Sequence, residues 1–303
     1  MNHARTAYRL PIVSLIIVML AYFSHRAKAS EPTQTHDPAL DTITVEAQRE
    51  RAQLEREIST YLSSILIPHH DWSHARWDIP ICPLVAGLSR DKGEFMLARI
   101  SESARAAAAA LGAENCRPNL YVVVTSEPSV LLKKWLKRDM RMFDDRYGMT
   151  AINRFLHSTR AVRVWFNAEF VRAGSGAPMP VDSLDGVNFF PVNRNPRGSR
   201  LQYDEVRSIT TAIVIVDVTQ LEGVNFGQLA DFVTLLGLAE VDQDKDDANV
   251  PTILSLFKNR ERAPSEGMSP WDKAFLKALY STEQDSVMQT SEMSTSMLKS
   301  LEP

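Results

Sequence analysis

The sequence predicts an α+β fold: a single small mixed sheet of about three to four strands covered by helices. Three observations carry that reading. The apolar runs Leu120–Val124 (LYVVV), Ala161–Phe166 (AVRVWF) and Ser208–Val218 (SITTAIVIVDV) have the length and β-branched content of strands. Segments with helical spacing of apolar residues lie before, between and after them. The resulting order is helix, helix, strand, helix, strand, strand, helix, helix, and no internal repeat interrupts it.

Taken in order, Val45, Ala52, Ile58, Leu62 and Ile65 recur at helical intervals between Thr44 and Leu66, and Pro68 ends that helix. The stretch PHHDWSHARWDIPICP reads as a loop that packs over the core and delivers Cys82 to its partner. Asp91 to Leu111 is a second helix, with Ala106–Ala110 in its last turns and Gly112 as C-cap. Further helices are expected at Val130–Arg138 and Ala151–Leu156. AVRVWF alternates, as a strand with one wet face does. Residues 172–203 are rich in Gly, Pro, Asn and Arg and carry no period; a loop that long is functional or disordered. Phe226–Leu236 is a helix stopped by Gly237, Trp271–Tyr280 another, and Glu283–Leu301 a last one rich in Ser, Thr and Met.

The N-terminus gives a compartment. Arg5 and Arg9 precede an apolar run from Leu10 to Phe23, and Ala27 and Ala29 supply the small-x-small end of a secretory signal peptide. The run is about 14 residues, against about 20 for a bilayer-spanning helix. Cleavage after Ala29 is expected, giving a periplasmic or secreted chain; the alternative is an inner-membrane anchor left uncleaved. The expected organisation is residues 1–29 signal peptide, 30–41 flexible leader, 42–281 a single α+β domain, and 282–303 a C-terminal helix or tail. No transmembrane candidate follows the signal. A net charge of -3 gives no global field for nucleic acid or anionic lipid. Cys82 and Cys116 are the only two cysteines. An even count in an oxidising compartment favours a disulfide, and closing a loop of about 35 residues is worth about 3–4 kcal/mol in the loop-entropy model.

Motifs for chemistry are sparse. His69, His70 and His74 form HHxxxH, but Pro68 and Asp71-Trp72-Ser73 favour a solvated loop over a helical metal site. Asp242, Asp244 and Asp246 open like a calcium loop, yet its sixth and twelfth positions hold Asp247 and Ile253 where glycine and glutamate belong. The loop around Arg194, Arg197 and Arg200, with Asn193, Asn195, Phe189, Phe190 and Tyr203, offers contacts for a phosphate or an anionic glycan. No Gly-x-Ser-x-Gly elbow is present. No metal site and no cofactor are expected.

The blocks WDIPICPLVAGL, ENCRPNLYVVVT, GVNFGQLADFVTLLGLAE and PTILSLF…SPWDKAFLKALY resemble a family of secreted proteobacterial proteins of unknown function. The resemblance spans nearly all of the chain after the signal, and its one cysteine per early block supports the Cys82–Cys116 bridge. Gly223–Tyr280 also resembles the zincin metalloproteases, whose HExxH helix ends just before a glycine. Aligned on Gly237, Ala230, Asp231 and Thr234 stand where the first histidine, the glutamate and the second histidine would be. The likeness implies a scaffold that has lost its zinc. Gln228 and Asp231, three apart on this helix, are expected to face a groove. The functional expectation is an exported, non-catalytic envelope protein binding an unknown protein or envelope ligand. The alternative is a secreted hydrolase with a dispersed active site.

Overall fold

The computed structural model describes residues 38–67, 73–143, 148–183, 189–191, 200–243 and 249–302. Helix α1 (Pro38–Ile65) is followed by strand β1 (Pro83–Ala86), helix α2 (Arg90–Ala106), strand β2 (Leu120–Thr125), helices α3 (Pro128–Arg138) and α4 (Gly148–Leu156), and strand β3 (Val162–Arg172). The short strands β4 (Val181–Ser183) and β5 (Phe189–Pro191) precede β6 (Glu205–Asp217), then helices α5 (Phe226–Leu238), α6 (Pro270–Ser281) and α7 (Gln289–Leu301). The chain divides into two units, Met1–Glu46 and Ala47–Pro303, and the sheet with its helices lies in the second.

The fold is α+β, as expected. The main sheet is mixed, in the order β1-β2-β6-β3. β1, β2 and β6 run parallel, and β3 lies antiparallel to β6 at the edge. The apolar runs of β2 and β6 are continuous rather than alternating because both faces of the sheet are covered. On β6, Ile209, Ala212, Val214 and Val216 join the main core with Leu120, Val122 and Val124 of β2. Ile213 and Ile215 point the other way, into a second cluster with Leu132, Phe143, Ile152, Phe155, Leu156 and Trp165. The main core takes residues from α1, α2, α5, α6 and α7, and α3 and α4 cover the opposite face.

Several expectations are corrected. β1 starts at Pro83, the last residue of the stretch read as a loop; four residues carry too short a pattern to show alternation. The 172–203 segment contains the β4–β5 ladder. β3 runs to Arg172, beyond Phe166, because a bulge at Asn167/Ala168 breaks the period-2 signal there. α1 starts at Pro38, within the expected leader, and α7 at Gln289, later than Glu283. Met293, Met297 and Leu298 of α7 belong to the main core.

α2 stops at Ala106, although alanine is the best helix former. Its end is a Schellman turn: Ala108 N–H donates to Arg105 O at 3.0 Å and Ala109 N–H to Ala104 O at 2.8 Å. Tertiary pairing dictates the stop. Ile81 N–H donates to Ala110 O and Gly112 N–H to Ile81 O, both at 2.8 Å, which laces the turn to the segment entering β1. The Cys82–Cys116 disulfide closes the same corner. Gly112 is therefore not a cap: a Cβ there would lie 2.7 Å from the Cys116 Sγ. Gly237 does not stop α5 either. It sits inside the helix, where a Cβ would press to 3.1 Å from the Leu120 side chain.

Candidate functional site

α5 is buried over every residue from Leu229 to Leu238, so its position is set by the core on all sides. Its C-terminal carbonyls have side-chain donors: Trp77 Nε1 reaches Gly237 O at 3.0 Å and the Tyr280 hydroxyl reaches Leu238 O at 2.6 Å. Ala230 and Thr234 are fully buried, and Thr234 Oγ1 donates back to Ala230 O at 2.7 Å. Neither side chain supplies an imidazole, so the two positions cannot ligate zinc as in HExxH.

Asp231 and Gln228 hold the chain that leads into α6. The Arg99 guanidinium of α2 grips the Asp231 carboxylate with two hydrogen bonds, at 2.8 and 2.5 Å. Met268 N–H donates to the same carboxylate at 2.7 Å, and Gln228 Nε2 donates to Pro264 O at 2.9 Å. Gly267, at φ +108°, is needed beside them, because any Cβ there would collide with the Asp231 carboxylate. Five residues on, the capping box of α6 buries Asp272 completely. Its oxygens accept from Tyr61 Oη, Thr252 Oγ1, Ile253 N, Ser269 N and Ser269 Oγ at 2.6 to 3.1 Å. Burial pushes the carboxyl above the usual range, against the pull of these donors.

A cavity of about 740 Å³ lies between α1, the start of α7 and the segment entering the sheet. Ser59, Leu62, Ser63 and Leu66 form one wall, and Ser73, His74 and Tyr203 a second. Residues 286–291 and Ser294 close the third. Among the described lining residues there is no lysine, arginine or carboxylate. Gln289 is the informative member. It is 3% exposed, and its Oε1 accepts the His74 backbone N–H at 2.9 Å. That donor fixes the amide orientation, since a reversed amide would set two donors face to face. Nε2 is left buried without a hydrogen-bond partner among the described residues. An unmatched buried donor costs about 1–3 kcal/mol. Beside it, His74 Nε2 meets Thr290 Oγ1 at 3.0 Å, and the first turn of α7 has no side-chain cap.

Arg163 on β3 lines a cavity of about 500 Å³ near α4, and its buried Nε has no hydrogen-bond partner among the described residues. Its Nη1 caps α4 by donating to Phe155 O at 3.2 Å and Leu156 O at 3.1 Å. Burial lowers the guanidinium pKa, and Asp217 opposes that shift.

The chain matches no protein-family model, no curated protein and no solved structure.

Of the residues singled out in sequence, Cys82 and Cys116 are brought together, and Gln228 and Asp231 converge on the 264–268 turn. Arg200 is exposed, while Arg194 and Arg197 lie outside the described residues, as do His69, His70 and Asp244–Asp247. Among the described residues no group of three or more His, Cys, Asp or Glu side chains is placed to hold a metal ion, and no helix is long and apolar enough to cross a membrane. Gln289, Ser59 and Ser294 were not legible beforehand. They come from helices over 200 positions apart and form no local motif; only His74 and Tyr203 stood near patterns that drew attention.

Proposed function

We propose that the chain is exported and acts in the bacterial envelope as a non-catalytic protein that binds a partner or envelope ligand in the cavity beside Gln289. The observation that carries this reading is the cavity of about 740 Å³ in which serine, threonine, histidine and tyrosine residues stand among Leu62, Leu66, Val287 and Met288. A concavity of that volume with mixed apolar and polar lining has the form of a small-molecule site. Export is supported by the Arg5/Arg9, apolar and Ala27/Ala29 pattern together with the disulfide. The absence of catalysis is supported by how the strongest polar groups are used: Asp231 and Asp272 spend their oxygens on backbone and side-chain donors of the fold. In the zincin likeness, the same helix serves as scaffold, with Ala230 and Thr234 in the ligand positions.

Native mass spectrometry of the protein isolated from the envelope fraction tests the reading. The expected result is a chain beginning at Ser30 that carries a bound low-mass species. Ser59→Trp, which places an indole in the cavity from an exposed position on α1, is expected to lose that species and keep the fold. A chain that starts at Met1 and fractionates with the cytoplasm overturns export. A chain that turns over envelope material with repeated hydrolysis overturns the non-catalytic reading.

A further inference from the structure

We infer that the outer face of α3 docks the protein on an anionic lipid bilayer. α3 covers the face of the sheet opposite α1 and α7, so the inference stands apart from the cavity. The sequence sets the charge. Between Pro128 and Phe143 the chain carries Lys133, Lys134, Lys137, Arg138 and Arg141 against one carboxylate, Asp139, although its net charge is -3. Exposed charges farther apart than about 10 Å are screened at 0.1 M salt, so a nearby surface meets this local excess and not the net value. The helix sets the direction. At about 100° per residue, Lys133, Lys137, Val130, Lys134 and Arg138 fall in that order on an arc of about 140°. Leu132, fully buried in the second cluster, lies on the opposite side. Lys133, Lys134, Lys137 and Arg138 are all exposed, and none has a side-chain partner among the described residues.

Charge complementarity makes the partner anionic, and the apolar residues set among the cations make it a bilayer. Val130, 43% exposed, stands in the middle of the cationic arc, and Met140, 53% exposed, follows the last turn of α3. A soluble polyanion has no apolar phase to receive such side chains, whereas the boundary between headgroups and acyl chains does. Each lysine or arginine near an anionic leaflet strengthens binding by about fivefold. The face is also presented ready-made. Trp135, Leu136 and Met142 pack half-buried against the second cluster and Phe143 is buried in it, so docking orders no further backbone.

The test is flotation of the protein isolated from the envelope fraction with two kinds of vesicle, phosphatidylcholine alone and equal parts phosphatidylcholine and phosphatidylglycerol. Binding to the mixed vesicles is expected to be at least about tenfold tighter, and to be released at about 1 M salt, where the screening length falls to about 3 Å. The double substitution Lys134→Glu and Lys137→Glu is expected to weaken it by at least about tenfold. Val130→Asp is expected to weaken it and Val130→Trp to strengthen it, each with an unchanged melting temperature because the position is exposed. Tighter binding by the tryptophan variant is a result that damage to the fold does not produce. The inference is overturned if the mixed vesicles bind no better than phosphatidylcholine, or if the doubly charge-reversed variant binds as the parent does. A chain held by its N-terminal apolar run binds both compositions and ignores the α3 substitutions, which overturns it equally. If polyglutamate binds as tightly as the mixed vesicles and Val130→Trp changes nothing, the face takes a soluble polyanion and the lipid assignment fails.

Discussion

Asp272 shows how much one residue organises. It caps α6, anchors the Ile253–Phe257 turn through Ile253 N–H, and ties α1 to both through the Tyr61 hydroxyl. Replacing it with alanine leaves at least four buried donors without acceptors, which costs at least about 3 kcal/mol. Asp272→Ala is therefore expected to melt several degrees below the parent in a calorimetric scan, and an unchanged melting temperature would contradict the hub. At the end of β6, Asp217 titrates in the opposite sense. Burial raises its pKa, but the Thr219 hydroxyl and backbone N–H, the Gln220 amide and the Arg163 charge together bring it below the usual carboxylate range. A depressed folded-state pKa contributes stability that is present above the unfolded value, about 3.9, and lost as pH falls through the folded one. The stability difference between the parent and Asp217→Asn is expected to be constant from pH 7 to about 5 and to shrink below about pH 4. Asp272, Asp78 and Glu205, whose pKa values are raised by burial, shift stability the other way. Taking the difference between parent and variant cancels them.

At the scale of elements, the end of α2 yields a prediction of gain. Ala108 is the C′ residue of its Schellman turn, at φ 64°, and is exposed. A left-handed non-glycine residue costs about 1–2 kcal/mol, and glycine removes that cost while loosening the unfolded chain. Ala108→Gly is expected to stabilise the protein by about 1 kcal/mol in urea unfolding, with no change in slope. A loss of stability would mean that the alanine methyl makes a contact worth more than the backbone strain. The alternation of AVRVWF showed β3 but hid its second half, because the bulge at Asn167/Ala168 shifts the register and ends the sequence period. The five alanines carried the opposite error. Their intrinsic preference is helical, but four of the five lie beyond α2: Ala107 as its C-cap, Ala108 and Ala109 in the Schellman turn, and Ala110 paired with Ile81.

On the scale of the whole molecule, the Cys82–Cys116 bridge joins the entry to β1 with the turn between α2 and β2, 34 residues apart in sequence. Changing either cysteine to serine is expected to cost about 2–5 kcal/mol. The measurement is chemical unfolding of each variant beside the reduced parent, which should match them. If either variant is as stable as the oxidised parent, the bridge is not a constraint on folding. The same corner contains Gly112, whose missing side chain makes room for the bridge.

The sequence by itself determined the fold class, three of the four main strands, most of the helices and the cysteine pair. These are written in local period, length and count, and they need no knowledge of what comes to lie beside them. It also determined that helix 226–238 lacks imidazole ligands at Ala230 and Thr234, since that depends on residue type alone. Tertiary structure decided the rest. β1 exists because β2 offers it a ladder, and Asp231 meets Arg99 only because α2 and α5 cover the same face of the sheet. The cavity is built from residues between Ser59 and Ser294, and the unmatched donor of Gln289 appears only once His74 N–H has taken its oxygen. Satisfaction of a buried polar group depends on its neighbours in space, and no pattern along the chain encodes it.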